Sequence, residues 1–225
     1  MTLLISSCLA FILLHLGVSG SPVREMLRTR LGANGYLGLY SLLALASLAA
    51  MIYSYTLVPH TEFIWLPSEA AYKITKVILL FSIILIVMGS MSRNPTAVNM
   101  EQAVNDEPPG TVKITRHPIQ WGILLYALGH LIANGDIASI VFFSTLMIVS
   151  GAGMISMDAR KKQLEGEAWK SFFQSTSLVP FAATLSGRNK LEVAEINWLA
   201  LGIGIALYVC VYWFHNMVSG GSSLF

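Results

Sequence analysis

Charge is what this sequence has least of. Of its 225 residues only 12% are Asp, Glu, Lys or Arg, while 55% are hydrophobic. A soluble domain carries roughly twice that charged share, so a water-exposed globule is excluded. The net charge of +2 is too small for a nucleic-acid footprint. Cysteine is nearly absent: Cys8 and Cys210 both lie inside apolar runs and give neither a zinc spacing nor a disulfide framework. No carboxylate pair or catalytic triad points to hydrolysis. Internal repeats and low-complexity stretches are missing too, so the chain reads as one domain over residues 1–225.

What is present is a series of apolar runs at 2–19, 36–58, 74–91, 118–134, 137–155 and 195–217. A helix of about 20 residues spans the hydrocarbon core of a bilayer. The expected fold is therefore all-α: a polytopic membrane helix bundle with about six transmembrane helices. The fourth and fifth runs are joined by Asn134-Gly135-Asp136, which suits a tight helical hairpin. After the fifth, residues 156–172 read as an interfacial helix, with Leu164, Trp169, Phe172 and Phe173 available to face lipid or bundle. Twelve of the 14 positive residues fall in the loops at 20–35, 92–117 and 156–194, and only Lys73 and Lys76 fall on the other side. Positive residues stay inside, so the expected topology has both termini outside.

The polar residues within the apolar runs carry the functional signal. His15 lies in the first run and His130 in the fourth. A histidine in a bilayer is costly unless it has a partner, a proton path or a metal. A hydrogen bond to a neighbouring carbonyl or hydroxyl satisfies either one alone. Two on different helices, each close to mid-membrane, suit a metal, because neutral imidazole is a common ligand and bundle-core histidines hold haem iron. His117 is a competing ligand, thirteen residues before His130 on the same helix but on a different face. The face shared with His130 includes Tyr126, placed to contact a substrate or a propionate, Ala127, which permits close approach, and Asn134, which could orient the imidazole. At the start of that helix Arg116-His117-Pro118 offers free N–H groups and a positive charge, suited to a propionate, a carboxylate or a lipid phosphate. Asp136 and Asp158 read as partners of arginines or as helix caps. His60 and His215, near the outer interface, read as incidental.

Taken together these residues resemble a family. The matching pieces are His15 late in the first helix; Leu31-Gly32 through Gly38-Leu39-Tyr40-Ser41; Arg116-His117-Pro118; Gly129-His130 through Gly135-Asp136; Asp158-Ala159-Arg160-Lys161; Trp169 with Phe172; and Thr176-Ser177-Leu178-Val179-Pro180-Phe181. They resemble the NnrU family of bacterial inner-membrane proteins, which also takes in the 15-cis-zeta-carotene isomerases of plants and cyanobacteria. The resemblance covers most of the chain, and its most specific stretch runs from Arg116 to Asp136. It implies a haem b protein of the bacterial inner membrane, with both termini periplasmic and with His15 and His130 at the positions of the iron ligands. In the isomerase branch a buried haem moves a carotenoid double bond from cis to trans. The NnrU branch is associated with denitrification and nitric oxide metabolism. The expected partners are thus the lipid bilayer and either a lipophilic small molecule or nitric oxide. Ala127 departs from the isomerase branch, which can carry a cysteine there as an alternative ligand.

Arg-His-Pro at a helix start also resembles the isoprenylcysteine methyltransferase group, where the motif helps bind S-adenosylmethionine. That group has a glutamate pair where this chain has Asp158 to Arg160, with Glu165 and Glu167 further on. A non-enzymatic respiratory accessory protein, with histidines used for packing, is the third reading.

Overall fold

A computed structural model describes residues 1–18, 21–163 and 166–218. Ser19, Gly20, residues 219–225, and the Leu164 and Glu165 singled out above lie outside the described residues. All six apolar runs are helices: α1 (Thr2–Ile12), continued by a π-helical turn over Leu13–Val18; α2 (Pro22–Thr56); α3 (Glu69–Ser90); α5 (Pro118–Ala133); α6 (Ile137–Lys162); and α9 (Trp198–Val218). Among the described residues three short α-helices, α4 (Gly110–Ile114), α7 (Glu167–Ser175) and α8 (Ala182–Leu185), and two 3-10 turns, Glu101–Asn105 and Val193–Glu195, complete the set. Among the described residues the nearest thing to a sheet is one isolated bridge between Phe63 and Asp136. Of the described helices four, α2, α3, α6 and α9, are long and apolar enough to cross a membrane, and α1 with its π turn and α5 are shorter apolar helices. Along α9 the side chains of Leu199, Ile203, Leu207, Trp213 and Phe214 are all exposed. In water such a face would drive aggregation; hydrocarbon covers it at no cost.

Two boundaries differ from the sequence expectation. From Pro22 on, the loop expected at 20–35 is helical, because Ser21 accepts a hydrogen bond from the Val23 N–H and Pro22 occupies the first helical position. The break in this long helix comes instead at Gly32, whose φ of 73° and ψ of 165° are open only to glycine. The amphipathic helix after the fifth apolar helix starts later than expected. Residues 156–162 continue α6, and α7 begins only after Gly166, at φ 135°. Its Trp169 and Phe172 are buried against Val112, so this face packs on protein.

The chain packs as two compact units. The first joins Met1–Thr75 with Ala127–Ser156. Its core holds Leu4, Cys8 and Phe11 from α1, Met51 from α2, Ala127 from α5, and Ala138, Phe142 and Phe143 from α6. The α1 residues recur at helical spacing and form one stripe, which His15 extends by a further turn. Ser7 Oγ meets Ser54 Oγ at 2.7 Å, satisfying two hydroxyls that lipid could not. The second unit joins Lys76–Tyr126 with Met157–Phe225. There Ser82 donates to the Gly122 carbonyl at 2.8 Å, and a Cβ on Gly122 would lie 2.5 Å from Ile86, so glycine sets the helix approach. Nearby, the amine of the nearly buried Lys113 is shared by Glu107, at 3.0 Å, and Glu195. Burial opposes charge on Lys113, but the two carboxylates outweigh it and hold the amine above its ordinary range.

Candidate functional site

His15 sits inside the π turn, half-buried. Its Nδ1 lies 2.9 Å from the Phe11 carbonyl oxygen. A carbonyl only accepts, so Nδ1 carries the hydrogen and Nε2 keeps its lone pair. The Phe11 ring lies 4.0 Å away, centroid to centroid, and the Tyr40 ring meets His15 edge-on at 5.9 Å. Tyr36, buried, stacks on Tyr40.

His130 lies in the last turn of α5 and stacks on Phe143 of α6, centroids 4.6 Å apart and rings 25° from parallel. Asn134 Nδ2 donates to the His130 backbone carbonyl at 2.8 Å, so the asparagine secures the end of the helix. Ala127, one turn earlier, is fully buried. Phe11 and Phe143 belong to one apolar cluster, and each carries one of the two histidines on its ring.

Just past His130 the chain turns through Asn134-Gly135-Asp136, and a strap over residues 59–66 lies against this corner. Ile64 N donates to the Gly135 carbonyl at 2.8 Å and Ile137 N donates to the Glu62 carbonyl at 2.9 Å. Gly135 is required here: an added Cβ would fall 1.9 Å from the Trp65 carbonyl oxygen. Asp136 caps α6 by accepting from Ser139 N at 2.9 Å and pairs with His60 Nδ1 at 2.7 Å. Burial pushes the Asp136 carboxyl up, but the Ser139 hydrogen bonds and His60 outweigh it and leave the group below its ordinary range. His60, read from sequence as incidental, therefore has a specific partner. Tyr55 ties the corner to the core: its hydroxyl meets Ser139 Oγ at 2.7 Å and its ring packs on His60 and Phe142.

The start of α5 is built differently. His117 is fully buried and its Nε2 is 2.6 Å from Asp158 Oδ1. Arg116, also buried, donates to Asp158 Oδ2 at 3.2 Å and to the Thr176 carbonyl at 3.3 Å, with its guanidinium 4.7 Å from the Phe173 ring. Its backbone is held too, by Ser177 on the N–H and by Asn94 and Thr96 on the carbonyl. Leu178 accepts from Thr115 Oγ1 and Trp121 Nε1, both at 2.8 Å. Arg116 Nε and His117 Nδ1 are buried without a hydrogen-bond partner. The arginine's charge is thus met by Asp158 inside the protein, and a propionate or methyl-donor carboxylate at this mouth would have to compete with that carboxylate.

Sequence reasoning gave Asp158 an arginine partner, and the structure supplies Arg116. It missed His117 as a second partner, the Phe143 stack under His130, the strap and the π turn. Tyr126, expected to face a ligand, is 37% exposed. Among the described residues no cluster of three or more His, Cys, Asp or Glu side chains could hold a metal.

The comparisons with known proteins point one way. The family model described as NnrU protein matches residues 3–223. The chain is 30% identical over 141 residues to the chloroplastic 15-cis-zeta-carotene isomerase of Arabidopsis thaliana, covering 57% of this chain and 38% of that protein. It is 32% identical over 104 residues to the enzyme of the same name from Zea mays, covering 43% and 28%. The aligned parts are well under half the length of these relatives. No solved structure matches the chain.

Proposed function

The chain belongs to the NnrU family, and on that premise we propose that it is a haem b protein of the membrane that isomerises a cis double bond in a lipophilic polyene. The observation that carries the reading is the pair of imidazoles, His15 and His130, each lying against a ring of one buried apolar cluster. The donor set fits haem b. His15 has its Nδ1 hydrogen occupied by a carbonyl and its Nε2 lone pair left for a metal. The walls are rings and methyls, and the fully buried Ala127 offers no donor of its own. When bound, haem would supply an iron able to act as Lewis acid or one-electron partner and so lower the order of the reacting double bond. The chain's own residues do the rest. His15 and His130 hold the group, Phe11 and Phe143 fix their ring planes, and the apolar cluster keeps water from the reacting bond. Asp158 already engages Arg116 and His117, so in the methyltransferase reading a methyl donor's carboxylate would have to compete with Asp158 for them.

Twelve positive residues on one side against two on the other support an orientation with the 156–194 loop in the cytoplasm and both termini outside, in the proposed setting of a bacterial inner membrane. A cysteine at position 161 that reacts with an impermeant reagent in intact cells would overturn that orientation.

The test of function is spectroscopic, then chemical. Protein expressed with ample haem should show a Soret band. His15→Ala and His130→Ala should each shift or abolish it, while His60→Ala and His215→Ala should not. The reduced protein in detergent should convert a 15-cis polyene to the trans form, followed by chromatography. A colourless wild-type preparation overturns the proposal, and so does a wild-type spectrum in both ligand variants. If His117→Ala alone abolishes the band, the ligand assignment is wrong.

A further inference from the structure

We propose that the π turn over Leu13–Val18, together with Tyr40, is the device that sets the His15 imidazole for coordination. This inference rests on the haem reading above and adds the residues that position one ligand. The turn itself carries Gly17, but Phe11-Ile12-Leu13-Leu14-His15-Leu16, the stretch that places the imidazole, contains no proline or glycine, and leucine is among the better helix formers. A π turn has poorer local geometry than the α-helix it interrupts and recurs at functional sites. It is kept where something is gained from it.

What is gained is the aim of one side chain. In an unbroken α-helix the Phe11 carbonyl is the acceptor for the His15 backbone N–H, four residues on. In the widened turn, pairing steps toward five residues, and the Phe11 carbonyl receives the His15 side chain, Nδ1 to oxygen at 2.9 Å. That bond selects the tautomer with hydrogen on Nδ1 and leaves Nε2 as the donor atom. Among the described residues no hydrogen bond engages Nε2. Two rings restrict the remaining freedom. Phe11 lies against the imidazole at 4.0 Å, and Tyr40 closes its side edge-on at 5.9 Å. Tyr40 is itself stacked on the buried Tyr36, 5.7 Å away, so the clamp is braced from α2. A ligand held by a carbonyl on its other nitrogen and by rings on its faces keeps its direction in the absence of the metal.

The sequence allows the turn to be removed cleanly. A π turn is the geometry of one extra residue in an α-helix. Leu13, its first residue, is 66% exposed, so its deletion takes no side chain from the core. In the ¹⁵N-histidine NMR spectrum of the metal-free protein, His15 should be the tautomer protonated at Nδ1. Deletion of Leu13 should convert it to the ordinary Nε2-protonated form or to a mixture. In the haem-loaded protein the same deletion should lower haem affinity about tenfold or more, the loss typical when a ligand's orienting partner is removed. It should also move the ferric electron paramagnetic resonance spectrum from low-spin toward high-spin. If the deletion unfolds the protein, Tyr40→Leu reads the clamp alone, with weakened haem retention expected, and Tyr40→Phe should restore it because the ring does the work. A wild-type tautomer protonated at Nε2 overturns the inference. So does a deletion variant, or Tyr40→Leu, with wild-type haem affinity and spin state, and in that case the haem reading still stands. Colourless wild-type protein with the expected tautomer sinks the haem reading instead, while the effect of the turn on the imidazole survives.

Discussion

At the start of α5, Arg116 and His117 are buried with hydrogen bonds to one carboxylate, that of Asp158, whereas at its far end His130 lies against Phe143, ring against ring. His15, on another helix, belongs with the second kind. The contrast follows from what each side chain costs to bury. A guanidinium cannot shed its proton, so it comes into an apolar place only with a counter-charge beside it. Neutral imidazole needs only hydrogen-bond partners, and one of these can be a metal. The region around Arg116 is accordingly a knot, tied to four chain segments. The region around the two histidines is an apolar cluster in which each imidazole lies against a ring. A knot of this kind serves stability, whereas in the cluster the bond to Phe11 leaves His15 Nε2 for a ligand.

The largest effect should come from cutting the knot. Asp158→Ala leaves a buried guanidinium without its carboxylate and should cost about 3–5 kcal/mol, read as a lowered unfolding midpoint in detergent. If this variant unfolds like the wild type, the knot is not the structural centre and the contrast fails. Next comes the corner beside His130. Gly135→Ala puts a Cβ 1.9 Å from the Trp65 carbonyl oxygen and should cost about 1–3 kcal/mol as the strap is displaced. Gly153→Ala, which meets nothing within 4 Å, should be neutral or slightly stabilising, and equal effects of the two would refute the close approach.

A smaller effect is expected from Asp136→Ala, about 1 kcal/mol for the lost cap of α6. It has a pH signature. The Asp136 carboxyl titrates below its ordinary range, so its stabilisation is complete above the unfolded-state value near pH ~4 and is lost as pH falls through the depressed folded-state value. Asp136→Asn should remove that acid limb from a plot of unfolding midpoint against pH, and an unchanged limb would assign it to another group. The smallest change in stability, about 1 kcal/mol, should follow His15→Ala, in which the bond to the Phe11 carbonyl and the ring contacts with Phe11 and Tyr40 are lost. The same substitution should have the largest effect on the visible spectrum. A ligand variant that destabilises more than Asp158→Ala would reverse the comparison.

Composition made the helices legible because apolar length and bilayer thickness leave few alternatives, and Asn134-Gly135-Asp136 marked the hairpin for the same reason that it turns. The helix over residues 22–31 was hidden by its arginines, which read as a loop although Ser21-Pro22 is a good start signal. The partners in the knot were only half legible. Asp158 announced a need for a cation, but His117 lies 41 residues away and Arg116 42, and nothing local pairs them. His60 and Asp136 are separated by 76 residues. The π turn was hard to read, since Gly17 inside it marks a weak point in the helix but does not specify a widened turn.

The strap carries a consequence for assembly. Its backbone bonds join Glu62 and Ile64 to Gly135 and Ile137. A ribosome delivers the first of these segments to the membrane while the second is still unmade, so Glu62 and Ile64 reach the interface with unpaired backbone and wait. The wait ends only when α5 and α6 enter as a hairpin and present a corner without a Cβ at residue 135. Closure of the strap is therefore a late event that reports on the insertion of both helices. A chain whose hairpin stalls would keep the Glu62 carbonyl and the Ile64 N–H without their partners at Ile137 and Gly135.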